Sequence, residues 1–281
     1  MRMIAHISDL HFGMEDERIA GRLLEDLEGI DPSVVVISGD LTQRARKRQF
    51  EAAGAFIRKI TAPCLVVPGN HDIPLYDVIR RTLTPLHRYR HHITADLNPV
   101  FEDDELIVLG ANTARAANFK NGRISEAQIQ MLADRLCSAG RHLFKVLVSH
   151  HPFLPPLDHP YAASVGRGGL AAEALEPCGL DLLLAGHYHR GYMGDLQSRD
   201  STVKRPIIVA QAGTAISKRT RGERNSYDRI IIDPPDLCFD RYAWDGRGFV
   251  KTKTTRFKKV GGAWQLQPQD ICGTRSGRAQ A

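Results

Sequence analysis

Short apolar runs closed by Gly, Ser or Pro recur along the first two thirds of the chain: Met3–Ser8, Val34–Ser38, Leu65–Val67, Leu106–Gly110, Phe144–Ser149 and Asp181–Ala185. Hydrophobicity that is continuous rather than alternating over so short a length predicts strands buried on both faces. Between these runs, Asp16–Leu27 and Arg48–Ile60 space apolar residues three and four apart, as at Ile19, Leu23, Leu24 and Leu27, which predicts amphipathic helices. Ser125, with Gln128 three residues on and then Ile129 and Leu132, predicts a capping box that opens a further helix. Strands alternating with helices imply an α/β fold with crossover connections. After Gly186 the texture changes: Tyr192–Leu196, Pro206–Ala210, Asp228–Ile232, Cys238–Trp244 and Phe249–Thr254 read as consecutive strands. Residues 74–100 form a polar inserted segment rich in Arg and His, and Gly273–Ala281 is small, polar and expected to fray.

Composition narrows the class. With 281 residues, 42% hydrophobic and 25% charged, the chain is ordinary globular material, not a disordered or fibrous sequence. No apolar run approaches the ~20 residues of a membrane-spanning helix, and no charged head followed by an apolar stretch marks a secretory leader at Met1. Five widely spaced cysteines without a CxxC pair argue against a disulfide framework and a thiolate zinc site, and favour a reducing, cytoplasmic setting. The formal charge of +6 is uneven: Arg241–Ala281 holds nine basic and two acidic residues, so the first 240 residues carry −1 and the tail +7. Such a tail could attract nucleic acid. Its lysines and arginines alternate with Thr, Val and Phe, however, as on the outward face of an edge hairpin.

The chemistry sits at strand ends. Asp9-Leu10-His11, Gly39-Asp40, Gly69-Asn70-His71-Asp72, Ser149-His150-His151-Pro152 and Gly186-His187-Tyr188-His189 each follow a strand-like run, where open α/β sheets place ligand sites. In extended chain, residues two apart point the same way, so Asp9 with His11, and His187 with His189, are each expected to aim at one point. Adjacent side chains diverge, so one of His150 and His151 is expected to be a ligand. Carboxylates, imidazoles and a carboxamide without thiolate suit Zn, Mn, Fe or Co. Seven such groups are too many for one tetrahedral ion and suffice for two ions sharing a carboxylate.

This ordered set resembles the calcineurin-like metallophosphoesterase superfamily and, within it, is similar to the bacterial class III cyclic-nucleotide and glycerophosphodiester phosphodiesterases. The likeness runs from about Met3 to Ile232 and includes Gln211-Ala212-Gly213-Thr214 to Asn225-Ser226-Tyr227. The resemblance implies a four-layer α/β/β/α sandwich over residues 1–235, followed by a basic, β-rich extension over 236–281. It implies two divalent metal ions, one held by Asp9, His11, Asp40 and His189, the other by Asp40, Asn70, His150 and His187. It further implies hydrolysis of a small phosphodiester by a metal-bridging hydroxide. His71 would contact the phosphoryl group and protonate the leaving oxygen, with Asp72 orienting it. His151, Arg219 and Arg221 are expected to face substrate. A homo-oligomer built on the insert or the C-terminal element is compatible with it. Alternatives are a metal-dependent nuclease served by the basic tail, a nucleotide or lipid pyrophosphatase, and a non-catalytic scaffold. Relatives of that last kind are expected to lack ligands, and this chain lacks none of them.

Overall fold

The computed structural model describes residues 1–118, 120–155, 164–198 and 203–268, so the expected fraying of 273–281 and the isolated His159 lie outside the described residues. The elements run β1 (Arg2–Ile7), α1 (Glu17–Ile30), β2 (Val34–Ser38), α2 (Lys47–Ile57), β3 (Cys64–Val67), α3 (Val78–Leu83), α4 (His87–His92), β4 (Val100–Glu102), β5 (Leu106–Ala111) and α5 (Glu126–Ser138). There follow β6 (Phe144–Ser149), α6 (Gly168–Leu175), β7 (Leu182–Ala185), β8 (Tyr192–Asp195), β9 (Ile208–Gln211), β10 (Ser226–Asp233), β11 (Asp236–Trp244), β12 (Phe249–Val260) and β13 (Ala263–Leu266).

The continuous apolar strands are buried on both faces because two sheets stack and helices cover their outer sides. One sheet has the order β13-β12-β11-β10-β1-β2-β3, the other β4-β5-β6-β7-β9-β8. Ile4, Val36, Leu65, Val108, Val146, Val148, Leu184 and Ile230 fill the space between the sheets. Ala5, Ile7, Val35 and Ile37 turn outward onto Leu23, Leu27, Phe50 and Phe56 of α1 and α2. On the far side Ile107, Leu109 and Leu147 pack against Leu132, Leu136 and Ala172 of α5 and α6. This is the expected four-layer sandwich. The pairs β1–β2, β2–β3, β5–β6 and β6–β7 are parallel, so the loops after β1, β2, β3, β6 and β7 all leave from carboxyl ends.

Local signals account for the helices. The Asp16 carboxylate accepts from the amides of Arg18 and Ile19 and starts α1. Ser125 and Gln128 form the reciprocal capping box of α5, with Gln128 N to Ser125 Oγ at 3.2 Å and Ser125 N to Gln128 Oε1 at 3.1 Å. The insert folds into α3 and α4, and α4 is anchored by buried Tyr89, whose hydroxyl donates to Val66 O at 2.9 Å. Residues 236–266 continue the first sheet beyond β10. Leu237, Phe239, Phe257 and Trp264 join the core between the sheets, while Lys251, Lys253, Arg256 and Lys258 face outward. Trp264 Nε1 donates to Asp181 Oδ1 at 2.8 Å, tying the edge of one sheet to the start of β7 in the other.

One expectation is corrected. Cys137 on α5 and Cys178 after α6 form a disulfide across a separation of 41 residues. The packing of α5 against the end of α6 brings them together, which spacing in the chain could not reveal. The cysteine argument for a reducing compartment is thereby removed. No helix among the described residues is long and apolar enough to cross a membrane.

Candidate metal centre

The five loops converge on one cleft. Asp9, His11, Asp40 and His189 form one buried group whose donor atoms lie within 4.8 Å of one another. His11 Nε2 stands 3.1 Å from His189 Nε2, 3.6 Å from Asp9 Oδ1 and 3.7 Å from Asp40 Oδ2. His189 Nε2 is 3.3 Å from Asp9 Oδ1. Beside it, His150 Nε2 lies 3.3 Å from Asp40 Oδ1, 3.2 Å from Asn70 Oδ1 and 3.3 Å from His187 Nδ1. Asp40 thus presents one oxygen to each group.

These spacings test the fit of metal. Metal–nitrogen bonds of about 2.0–2.1 Å set neighbouring ligands of one ion roughly 3.0–3.4 Å apart, and the donors stand 3.1–3.7 Å from one another. Asp9 Oδ1 is buried without a hydrogen-bond partner, a costly arrangement for a carboxylate oxygen unless a cation meets it. The far ring nitrogens are anchored as ligand histidines require. His150 Nδ1 donates to Ser38 O at 2.8 Å and His189 Nδ1 to Arg219 O at 2.6 Å, which leaves both Nε2 lone pairs facing inward. The residues fit the binding of divalent metal ions.

Electrostatics agree with that reading. Burial opposes ionisation of Asp9 and Asp40, yet the surrounding histidines hold both carboxyls below their usual range. Burial alone would lower His150, but Asp40, with help from Asp9, raises it to about 9. His187, buried and next to His150, falls to about 3. The ionised Asp9 and Asp40 thus favour positive charge where the donors meet, a proton on His150 or a cation in its place.

Backbone geometry replaces part of the sequence argument. Asp9, His11, Asp40, His187 and His189 have φ of 53°, 47°, 51°, 79° and 59°. They are left-handed, not extended, so turns rather than strand alternation aim the paired ligands. The same applies to the expected divergence of His150 and His151. Their rings lie 4.9 Å apart, and His151 groups with His150 and His187 around a second focus. His151 Nδ1 meets Thr113 Oγ1 at 2.8 Å, while its Nε2 is buried without a partner.

His71 lies at the cleft. Its Nδ1 donates to Gln43 O at 2.9 Å and its Nε2 accepts from Arg219 Nη1 at 3.0 Å. Burial lowers its pKa despite Asp40 nearby. The Asp72 carboxylate accepts from Gly69 N, Leu41 N, Thr42 N and Thr42 Oγ1, and so pins two ligand loops together. Asn70–Asp72 is a 3-10 turn, on which successive side chains diverge by about 120°. Burial and Asp40 raise the Asp72 carboxyl to about 6. Arg219 and Arg221 line the cleft, as do Tyr188 and Lys120. Lys120, Gln43 and Thr113 were not anticipated: Lys120 sits in a loop without a motif, and Gln43 acts through its main chain.

Residues 2–191 match the family model described as calcineurin-like phosphoesterase. The glycerophosphodiester phosphodiesterase GpdQ of Enterobacter lignolyticus is 27% identical over 216 residues, 72% of this chain and 75% of that protein. The 3′,5′-cyclic adenosine monophosphate phosphodiesterase CpdA of Escherichia coli K12 is 26% identical over 205 residues, 68% of this chain and 66% of its own length. Among solved structures, a dimetal phosphatase from Danio rerio has a TM-score of 0.64 at 14% identity, covering 89% of this chain and 98% of that one. A purple acid phosphatase from yellow lupin has a TM-score of 0.67 at 13% identity over 90% of this chain, which spans 53% of the lupin protein. At such identities the structural likeness is one of fold.

Proposed function

Because the chain belongs to the calcineurin-like phosphoesterase family, we propose that its cleft hydrolyses small or nucleotide-type phosphodiesters with the aid of two divalent ions drawn from Mn, Fe, Zn or Co. The chain is a metal-dependent phosphoric diester hydrolase. The observation that carries the reading is the pair of buried donor groups sharing Asp40 at ligand–ligand spacing. Divalent ions held there would supply Lewis acidity to phosphoryl oxygens and would make a water a better nucleophile near neutral pH. The relatives named for glycerophosphodiesters and 3′,5′-cyclic adenosine monophosphate support the diester class.

The chain's own residues do the positioning. Asp9, His11, Asp40 and His189 hold one ion, and Asp40, Asn70, His150 and His187 the other. Arg219 and Arg221 turn toward the non-bridging oxygens, where a guanidinium forms charge-assisted hydrogen bonds. When Arg219 does so, His71 Nε2 is released from its present bond and faces the leaving oxygen, with its ring still fixed by Gln43 O. His151 stands behind His150 and His187, steadied by Thr113.

The test is turnover of bis(p-nitrophenyl) phosphate with added Mn²⁺. Asp40→Ala and Asn70→Ala are expected to run at least ~100-fold slower than wild type, since each removes a ligand. Parity among the three proteins would remove the enzymatic reading.

A further inference from the structure

The first 240 residues are nearly neutral in sum, yet residues 44–51 and 74–92 hold eight basic and two acidic residues, a local balance of +6. The two segments form one surface. Arg88 Nη1 donates to Ala45 O at 2.7 Å, the rings of Phe50 and His92 stack at 6.4 Å, and the Arg44 guanidinium lies 5.6 Å from the centre of the Tyr76 ring. Both acids are engaged, Asp77 by Arg80 at 2.8 Å and Glu51 by Lys47 at 3.5 Å. Among the described residues Arg44, Arg46, Arg48 and Arg90 have no carboxylate partner. The same surface carries the four most exposed large apolar side chains of the described residues, Tyr76, Val78, Ile79 and Leu83, at 68% to 77% accessible. Three of them belong to α3, which has no buried residue, so its apolar side chains project into water and add nothing to the core. A helix of six residues is marginal in water without a face to pack. Leu83 also borders a recess of about 400 Å³ that joins Ile73, Leu86 and Leu97 to Arg90 and Arg115, an apolar wall with cations at hand.

We propose that this surface docks the protein on an anionic lipid bilayer, with Tyr76, Val78, Ile79 and Leu83 entering the interface and the surrounding arginines meeting lipid phosphates. Charge decides among the occupants. Nucleic acid would engage the cations and leave the aliphatic side chains in water. A second copy docked face to face would set one +6 surface against another. A bilayer of negative surface potential takes the projecting apolar turn and the cations together, the combination that holds amphipathic segments at membranes. The docking face adjoins the cleft: Gln43, next to Arg44, accepts at its carbonyl from His71 Nδ1 at 2.9 Å. Docking therefore brings the cleft to the headgroup layer. The inference goes beyond the hydrolase reading and does not depend on it.

The full chain is sedimented with vesicles of phosphatidylcholine alone and of phosphatidylcholine containing one third phosphatidylglycerol, at low and at high salt. Wild type is expected to partition into the anionic vesicles at least about tenfold more strongly than into the neutral ones, and to lose most of that binding at high salt. Arg46→Gln/Arg90→Gln is expected to weaken binding roughly 25-fold, at about fivefold per cation. Ile79→Ser/Leu83→Ser is expected to weaken it by about tenfold or more. All four positions are exposed, so both variants are expected to keep the unfolding midpoint of wild type and its turnover of bis(p-nitrophenyl) phosphate without lipid. Equal binding to the two vesicle types, no binding to either, or variants that bind as wild type does overturns the proposal. A wild-type dimer that ignores vesicles and is dissolved by Ile79→Ser/Leu83→Ser overturns it in favour of a second copy. Tight binding of a DNA duplex without binding of vesicles overturns it in favour of nucleic acid. Failure of wild type to turn over bis(p-nitrophenyl) phosphate bears on the hydrolase reading alone.

Discussion

The left-handed ligands show how single residues are forced into the site. A non-glycine residue at positive φ costs about 1–2 kcal/mol, and Asp9, His11, Asp40, His187 and His189 all accept that strain. They do so because neighbouring loops pack backbone against backbone. A Cβ on Gly186 would stand 1.9 Å from Ser8 Oγ and 2.7 Å from Asp9 Oδ2, and one on Gly69 would stand 2.1 Å from Asp40 Oδ1. Gly186→Ala is therefore expected to weaken metal affinity ~10–100-fold, the scale of lost ligand support, whereas Gly29→Ala on α1, with open space around its Cβ, retains wild-type metal content. Elemental analysis of the purified proteins checks the pair. His6 gives a second expectation at this scale. It is buried with Nε2 2.8 Å from Ser38 Oγ, and burial pulls its pKa down to about 4. A histidine whose folded pKa lies below its unfolded one lends stability that is complete above pH 6.5 and is lost as the pH falls from 6.5 through 4, up to ~3 kcal/mol here. Urea unfolding of metal-free protein across that window should lose more stability on acidification for wild type than for His6→Gln. Parallel curves would rule the linkage out.

At the scale of elements, periodicity found α1, α2 and α5 and the six core strands, since each signal is local. Their ends were less legible. α2 stops at Ile57, three residues short of the expected Ile60, and α1 runs on to Ile30 before Asp31 turns left-handed. The short helices α3 and α4 and strand β13 went unread because nothing local marks them. Val78, Ile79 and Leu83 of α3 are exposed, and α4 depends on Tyr89 reaching Val66 in another element. The disulfide is likewise a product of packing. It sits beside Lys145, whose buried ammonium donates to Leu136 O, Ala139 O and Cys178 O and so caps α5 and the turn after α6 together. Cys137→Ser/Cys178→Ser is expected to lower stability by ~2–4 kcal/mol, the typical worth of such a crosslink. Bis(p-nitrophenyl) phosphate turnover at 25 °C should hold, because the bond lies at the end of the strands opposite the metal loops. A denaturant midpoint that is unmoved, or equal in wild type with and without reductant, contradicts this.

For the whole molecule, the metal centre is both site and fastener, since five loops from two sheets meet there. Chelation is expected to lower the unfolding midpoint and Mn²⁺ to restore it, by ~3 kcal/mol at an ion concentration a hundredfold above Kd. Asp9→Asn should blunt the response, and a chelator-insensitive midpoint would count against resident ions. The uneven charge resolves in the same frame. The basic residues of β12 form an outward face, as their alternation with Thr, Val and Phe indicated, while Lys120, Arg219 and Arg221 line the cleft from other loops. Identity and order of residues were enough to announce the strands, the ligand types and their sequence along the chain, because strand burial and ligand chemistry are properties of short segments. The left-handed turns that aim the ligands, the pinning of the ligand loops by Asp72, the Cys137–Cys178 bond and the gathering of Lys120 with Arg219 and Arg221 were decided only by tertiary structure. Each depends on residues far apart in the chain being brought together, as Leu41 and Asp72, Cys137 and Cys178, and His71 and Arg219 are at separations of 31, 41 and 148 positions. Only the packing of the two sheets sets such distances.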